Sequence, residues 1–453
     1  MTMESAPGSV RWLLPLFMIL LLGSLPLTWV HVASAGGFDL QLPYVIAILV
    51  GLLLCCFPNQ FAIGLRHLPP ALAPWLIAYG FYLVILALSL AGGPSKGMVL
   101  RQVFFLTCGC TFALGIVATG ADARILRRGG FLAIIGFLLF VELLARQIGL
   151  SWVLVIKHLV STGDLEFIFY HFLKELFQLV APSGSEAQAS DKNVVAVAIL
   201  TALFLFRAGH SKGGADRLGQ LIALVVLSVL VILNTRSVLL MAAIGLPLAG
   251  WIGAMRNGVN SSGEFILKSV LFFGVMIAVV LILSMDSAAM SLIDSRFSFS
   301  DDSSGKRIQQ YSWALERIEA NLVWGSGLAT FKGQPVHNLF LGAWMHAGVF
   351  AFLLVVFSYM TVVIGWFVFL IRVVTQRDYW VLPVRAEWIA VLPILPLFRV
   401  WIAGDAGHPS FVEWTTLCAF FGMILTNRLT RAHVNEYDPV RSQPQTAERP
   451  TVI

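Results

Sequence analysis

The chain has 453 residues, 58% of them hydrophobic and 12% charged, with a net charge of +6 and a mean hydropathy of +0.85. Soluble domains carry about 25% charged residues, so half that share excludes an ordinary cytosolic globule and indicates a chain that crosses a membrane many times. The surplus positive charge is scattered over short segments between apolar runs, which reads as topology signal and excludes a nucleic-acid-binding face.

In chain order, runs able to cross about 30 Å of hydrocarbon fall near 12–33, 42–58, 70–92, 98–119, 129–148, 193–208, 218–233, 237–255, 265–285, 345–371, 385–403 and 411–427. They predict an all-α fold, a polytopic integral membrane protein of about twelve transmembrane helices. The first run follows Arg11 and precedes "ASAG", the layout of a secretory signal. It is taken as an uncleaved span, because removing it leaves an odd number of crossings. With both termini cytoplasmic, Arg66, Arg124, Arg127, Arg128, Arg207, Arg256, Arg372 and Arg385 lie inside. The short outer segments 34–41 and 404–410 then hold no Lys or Arg, as the positive-inside rule requires.

Two longer segments face outward in this topology. Residues 149–192 include "KHLVSTGDLEFIFYHFLKELFQLV", with the spacing of a helix lying at the interface. Residues 286–337 form a polar loop rich in Ser and Asp. Residues 428–453 are polar, with Pro and Gln, and predict a disordered cytoplasmic tail. The five cysteines (Cys55, Cys56, Cys108, Cys110, Cys418) lie in apolar runs without metal spacing or a disulfide framework. The sequence holds no Walker loop, no Asp-x-Asp metal pair and no HExxH, so neither metal nor cofactor is expected.

Ionisable residues within a bilayer are costly and call for a partner or a role. On this topology Arg101, Arg146, Arg236, Arg307, His337, Arg399, Asp405 and His408 all gather at the outer face. A guanidinium matches phosphate oxygens with a planar fork of donors and stays charged when partly desolvated. Arg236 sits in the tight connection "NTRS", as a phosphate ligand or as an interfacial arginine reaching headgroups. His337 opens "HNLFLGAWMHAGVF" and suits proton transfer near pH 7, or else caps a helix start together with Asn338. Arg101 and Arg399 are further candidates for anionic substrate, Arg399 alternatively a structural partner of Asp405. The role of His346 stays open.

Three segments, "NTRSVLLMAAIG" (234–245), "GKRIQQYSWALERIEANLVWGSGLATF" (305–331) and "HNLFLGAWMHAGVFAFLLVV" (337–356), resemble in order the core of the bacterial O-antigen ligase and polymerase superfamily. The resemblance covers roughly 120 residues, and the twelve-helix layout extends it over most of the chain. It implies a single transmembrane catalytic domain over 1–427 in the bacterial inner membrane, with its active site facing the periplasm. It further implies a metal-independent, inverting glycosyltransferase whose donor is a glycan on undecaprenyl pyrophosphate and whose acceptor is lipid A core. Arg236 and Arg307 fall on the family's pyrophosphate-binding arginines and His337 on its essential histidine. Many relatives carry an acidic residue where Met345-His346 precedes Gly348. A polymerase joining lipid-linked repeat units is the alternative within the family, and a lipid-linked glycan transporter is the alternative outside it.

Overall fold

The computed structural model describes residues 8–28, 30–35, 38–56, 72–89, 96–147, 149–162, 188–210, 217–233, 235–258, 302–327, 336, 338–402 and 409–437, and within them the chain is mostly helical. The exception to the all-α expectation comes early. Helix α1 (Gly8–Ser24) stops at a tight turn carrying Pro26, which has no N–H to continue the ladder. A short antiparallel hairpin follows, β1 (His31–Ala35) on β2 (Phe38–Gln41), with Ala35 opposite Phe38.

The helices that follow are α2 (Leu42–Leu54), α3 (Leu72–Ser89), α4 (Lys96–Ala118), α5 (Ala123–Gln147), α6 (Trp152–Thr162), α7 (Gln188–Ala208), α8 (Arg217–Ile232) and α9 (Arg236–Gly258). Beyond them lie α10 (Asp302–Ala320), α11 (Leu339–Thr375), α12 (Ala386–Ala390), α13 (Ile394–Ile402) and α14 (Phe411–Tyr437). Among the described residues four stretches are long and apolar enough to cross a membrane: Val99–Ala118, Ala123–Gln147, Ser237–Arg256 and Leu339–Thr375. The expected span at 265–285 lies outside the described residues.

Helix α7 sits at the centre, buried on every side from Val194 to Phe206, as a helix apolar all round should be. It packs on α5, α8, α9, α12 and α14, and Thr201 shares a 2.9 Å hydroxyl contact with Thr416 of α14. Close approach depends on small residues, as is usual between membrane helices. A Cβ on Gly422 would meet the Ala113 carbonyl oxygen at 2.9 Å, and one on Gly130 the Ala202 carbonyl oxygen at 2.6 Å.

Three expectations change. The run 385–403 is two short helices, because Pro393 between them has no N–H to continue the ladder. The Ala390 carbonyl freed there accepts from Trp366 Nε1 at 2.6 Å. Helix α14 continues to Tyr437, so the predicted disordered tail is helical over 428–437; residues 438–453 lie outside the described residues. Finally, α11 is broken at Gly348, whose φ of 81° and ψ of −175° are non-helical.

The break makes α11 a hairpin of two limbs. Phe340 and Tyr359 would lie about 28 Å apart on one straight rod at 1.5 Å per residue, yet their ring centroids are 5.8 Å apart. Trp344 likewise stacks on Phe352 at 4.6 Å. The first limb, 339–347, therefore folds back along the second, 349–375. Only the second limb has the length to cross a bilayer. Its exposed face carries Phe350, Leu353, Phe357, Met360, Ile364, Phe367 and Ile371, an apolar stripe at helical spacing that suits lipid and not water.

Candidate functional site

The motif segments meet at the break. A straight helix would bond Val349 N–H to the Met345 carbonyl. Instead Val349 N–H donates to the Leu322 carbonyl (3.1 Å), and the Met345 carbonyl accepts from Ser326 N–H (2.7 Å). Both groups released by the break are thus taken up by the turn 321–327 that follows α10. Trp344 Nε1 also donates to Leu322 O at 3.1 Å. Gly325 and Gly327 have φ of 74° and 71°, left-handed conformations that favour glycine. A Cβ on Gly348 would overlap the Val323 carbonyl oxygen, and one on Gly325 would lie 2.7 Å from the backbone nitrogens of Ala347 and Gly348.

His346 belongs to this seam. It is buried, with Nδ1 2.9 Å from the Gly327 carbonyl. A carbonyl only accepts, so Nδ1 is the donor in this contact. The residue whose role the sequence left open anchors the glycine turn. Asn338 begins the first limb as its cap, its Oδ1 accepting from Phe340 N (2.9 Å) and Leu341 N (3.0 Å). Helix α10 packs on this limb through Ala314 and Ile318 against Met345, a small core separate from the main one.

Arg399 on α13 is 1% exposed and donates from Nε to Glu413 Oε1 at 2.5 Å. The other carboxylate oxygen accepts from Ser410 N–H at 2.6 Å, while Glu413 N–H reaches back to Ser410 Oγ at 3.4 Å. That is a capping box, Ser-x-x-Glu, opening α14. Arg399 therefore pairs with Glu413; Asp405, its expected partner, lies outside the described residues. Tyr359 lies within electrostatic reach of Glu413, as Tyr79 does of Tyr359 and Tyr82. Arg399 Nη1, Tyr79 Oη and Tyr359 Oη are buried without a hydrogen-bond partner among the described residues. Buried polar atoms are nearly always bonded to protein or water, so this cluster has capacity for further polar contacts.

The remaining sequence-predicted residues are placed by their elements. Arg256 in the last turn of α9 donates to the Trp380 carbonyl at 3.1 Å, just past the end of α11. Arg236, the first residue of α9, lies about 30 Å along that helix, at the Gly348 end of the bundle. Arg307 lies in α10 two turns before Ala314. The side chains of Arg236 and Arg307, and the whole of His337, fall outside the described residues. Arg101 is on the exposed side of α4, one position from buried Gln102, which accepts from Trp414 Nε1 at 3.1 Å. Groups of three or more His, Cys, Asp or Glu able to hold a metal are absent among the described residues.

Neither a family model nor a curated protein matches this chain. Sequence reasoning missed Glu413, Tyr79 and Tyr359. The capping box was legible as Ser410-x-x-Glu413, and it marks Glu413 as a carboxylate held at a helix start.

Proposed function

We propose that the protein is a membrane glycosyltransferase that moves a glycan from undecaprenyl pyrophosphate to lipid A core on the periplasmic face of the bacterial inner membrane. One observation carries the reading. The turn 321–327 from the second segment of resemblance is bonded onto the broken α11 of the third, and α10 packs against it. Helix α9, which opens with the first segment, packs on α11 as well.

In this mechanism the acceptor hydroxyl oxygen attacks the anomeric carbon and its proton passes to the His337 imidazole. The bond from that carbon to the pyrophosphate oxygen breaks, and configuration inverts. Arg236 and Arg307 steady the charge that grows on the departing pyrophosphate, where a metal would otherwise act. Arg399, held by Glu413 with one guanidinium nitrogen unused, is a candidate for a second anionic group of donor or acceptor, and Arg101 for a headgroup contact.

His337→Ala is expected to abolish transfer while donor binding survives, and Arg236→Ala to weaken both. A chromosomal deletion read on a lipopolysaccharide gel tests the assignment. Loss of all long chains with accumulation of lipid-linked polymer is the expected outcome. Core bearing a single repeat would make the protein a polymerase, and full ligation by His337→Ala would defeat the base assignment.

A further inference from the structure

At the opposite end of the bundle from Gly348, α5, α7 and α8 form a half-open cavity of about 530 Å³ lined by Arg124, Arg127, Arg128, Phe131, Phe206 and Leu218. The three arginines lie at i, i+3 and i+4 on α5, one helix face, and all are exposed. Among the described residues no ion pair, side-chain hydrogen bond or ring contact engages any of their guanidinium groups. Elsewhere at this end Arg207 lies over Trp388 at 4.9 Å and Arg256 donates to a carbonyl, whereas the pocket presents three uncommitted guanidinium groups on one helix face. The rest of the lining is apolar: Phe131 lies one turn further along the same face of α5, its ring 6.3 Å from that of Phe206 on α7, and Leu218 is on α8.

Cationic forks beside aromatic and aliphatic side chains in one pocket match a molecule with a phosphate next to hydrocarbon. Guanidinium groups suit phosphate oxygens geometrically, and a basic pocket between membrane helices is a recognised place for acidic headgroups. Its volume lies within the range of small-molecule sites, about 300–1,000 Å³. We propose that this cavity is a specific site for an acidic phospholipid, with the phosphodiester among Arg124, Arg127 and Arg128 and the first acyl carbons against Phe131, Phe206 and Leu218.

Native mass spectrometry of the full chain in mild detergent tests the site, titrating phosphatidylglycerol, phosphatidylcholine of the same acyl chains, and sodium phosphate. Phosphatidylglycerol is expected to be retained selectively. Replacing all three arginines (R124Q/R127Q/R128Q) weakens it roughly a hundredfold, at about a factor of five per basic residue. Leu218→Trp fills the cavity while leaving the arginines, and is expected to weaken retention too; it serves if the triple variant does not fold. Arg372→Gln, an exposed arginine of the same end outside the cavity, leaves retention unchanged. Equal retention of phosphatidylcholine, or an Arg372→Gln loss matching that of the triple variant, overturns the proposal. So does displacement of phosphatidylglycerol by millimolar phosphate with no effect of Leu218→Trp, which would mark a free-anion site.

Discussion

Two arginine–glutamate pairs sit at opposite ends of the bundle and differ chiefly in access to water. Arg385 and Glu387, near Trp380, are 2.7 Å apart with the arginine side chain 23% exposed. Arg399 and Glu413, at the Gly348 end, are 1% exposed each. A pair that keeps one partner hydrated has low desolvation cost and small net worth. An enclosed pair is costly to form, and more costly to break by removing one member. Arg399 and Glu413 thus depend on one another's presence, whereas Arg385 retains solvent as a substitute. That asymmetry suits an end where charge is handled away from bulk water.

Substitutions at the two ends test the contrast. Gly348→Ala should have the largest effect, about 4 kcal/mol or more, because alanine is strained at this φ and its Cβ overlaps the Val323 carbonyl. Thermal denaturation in detergent reads it, and an unchanged midpoint would dissolve the hairpin. Glu413→Gln leaves a charged Arg399 without its counter-ion and should destabilise by about 3–5 kcal/mol. The double variant Arg399→Met, Glu413→Leu should regain most of that, and a tolerated single variant would mean that the pair reaches water. Asn338→Ala removes the cap of the first limb, costing about 1–2 kcal/mol, and Asn338→Asp should restore it. Arg385→Gln should have the smallest effect, under about 1 kcal/mol, since Arg256 also lies within electrostatic reach of Glu387. A loss as large as that of Glu413→Gln would erase the difference between the ends.

What the sequence disclosed was governed by range. Length and apolarity betray a helix locally, so the stretches that became α4, α5 and α9 were legible. The break at Gly348 was not, because 339–375 is apolar throughout and only the approach of 321–327 explains the kink. The Pro-interrupted 385–403 carried its own warning in Pro393. The Arg399 partner was sought at Asp405, six positions away; the observed one is fourteen positions away across a helix boundary. Pairing between elements leaves no trace in a single sequence, whereas the capping box that orients Glu413 does.

The exchange of bonds between Leu322, Ser326, Met345 and Val349 fixes a length. Three residues, Val323, Trp324 and Gly325, separate the acceptor Leu322 from the donor Ser326, and they span the gap opened by one glycine. Inserting or deleting a single residue there would strand an amide and a carbonyl with neither helix nor turn to receive them. The turn is therefore expected to tolerate changes of side chain better than changes in residue number.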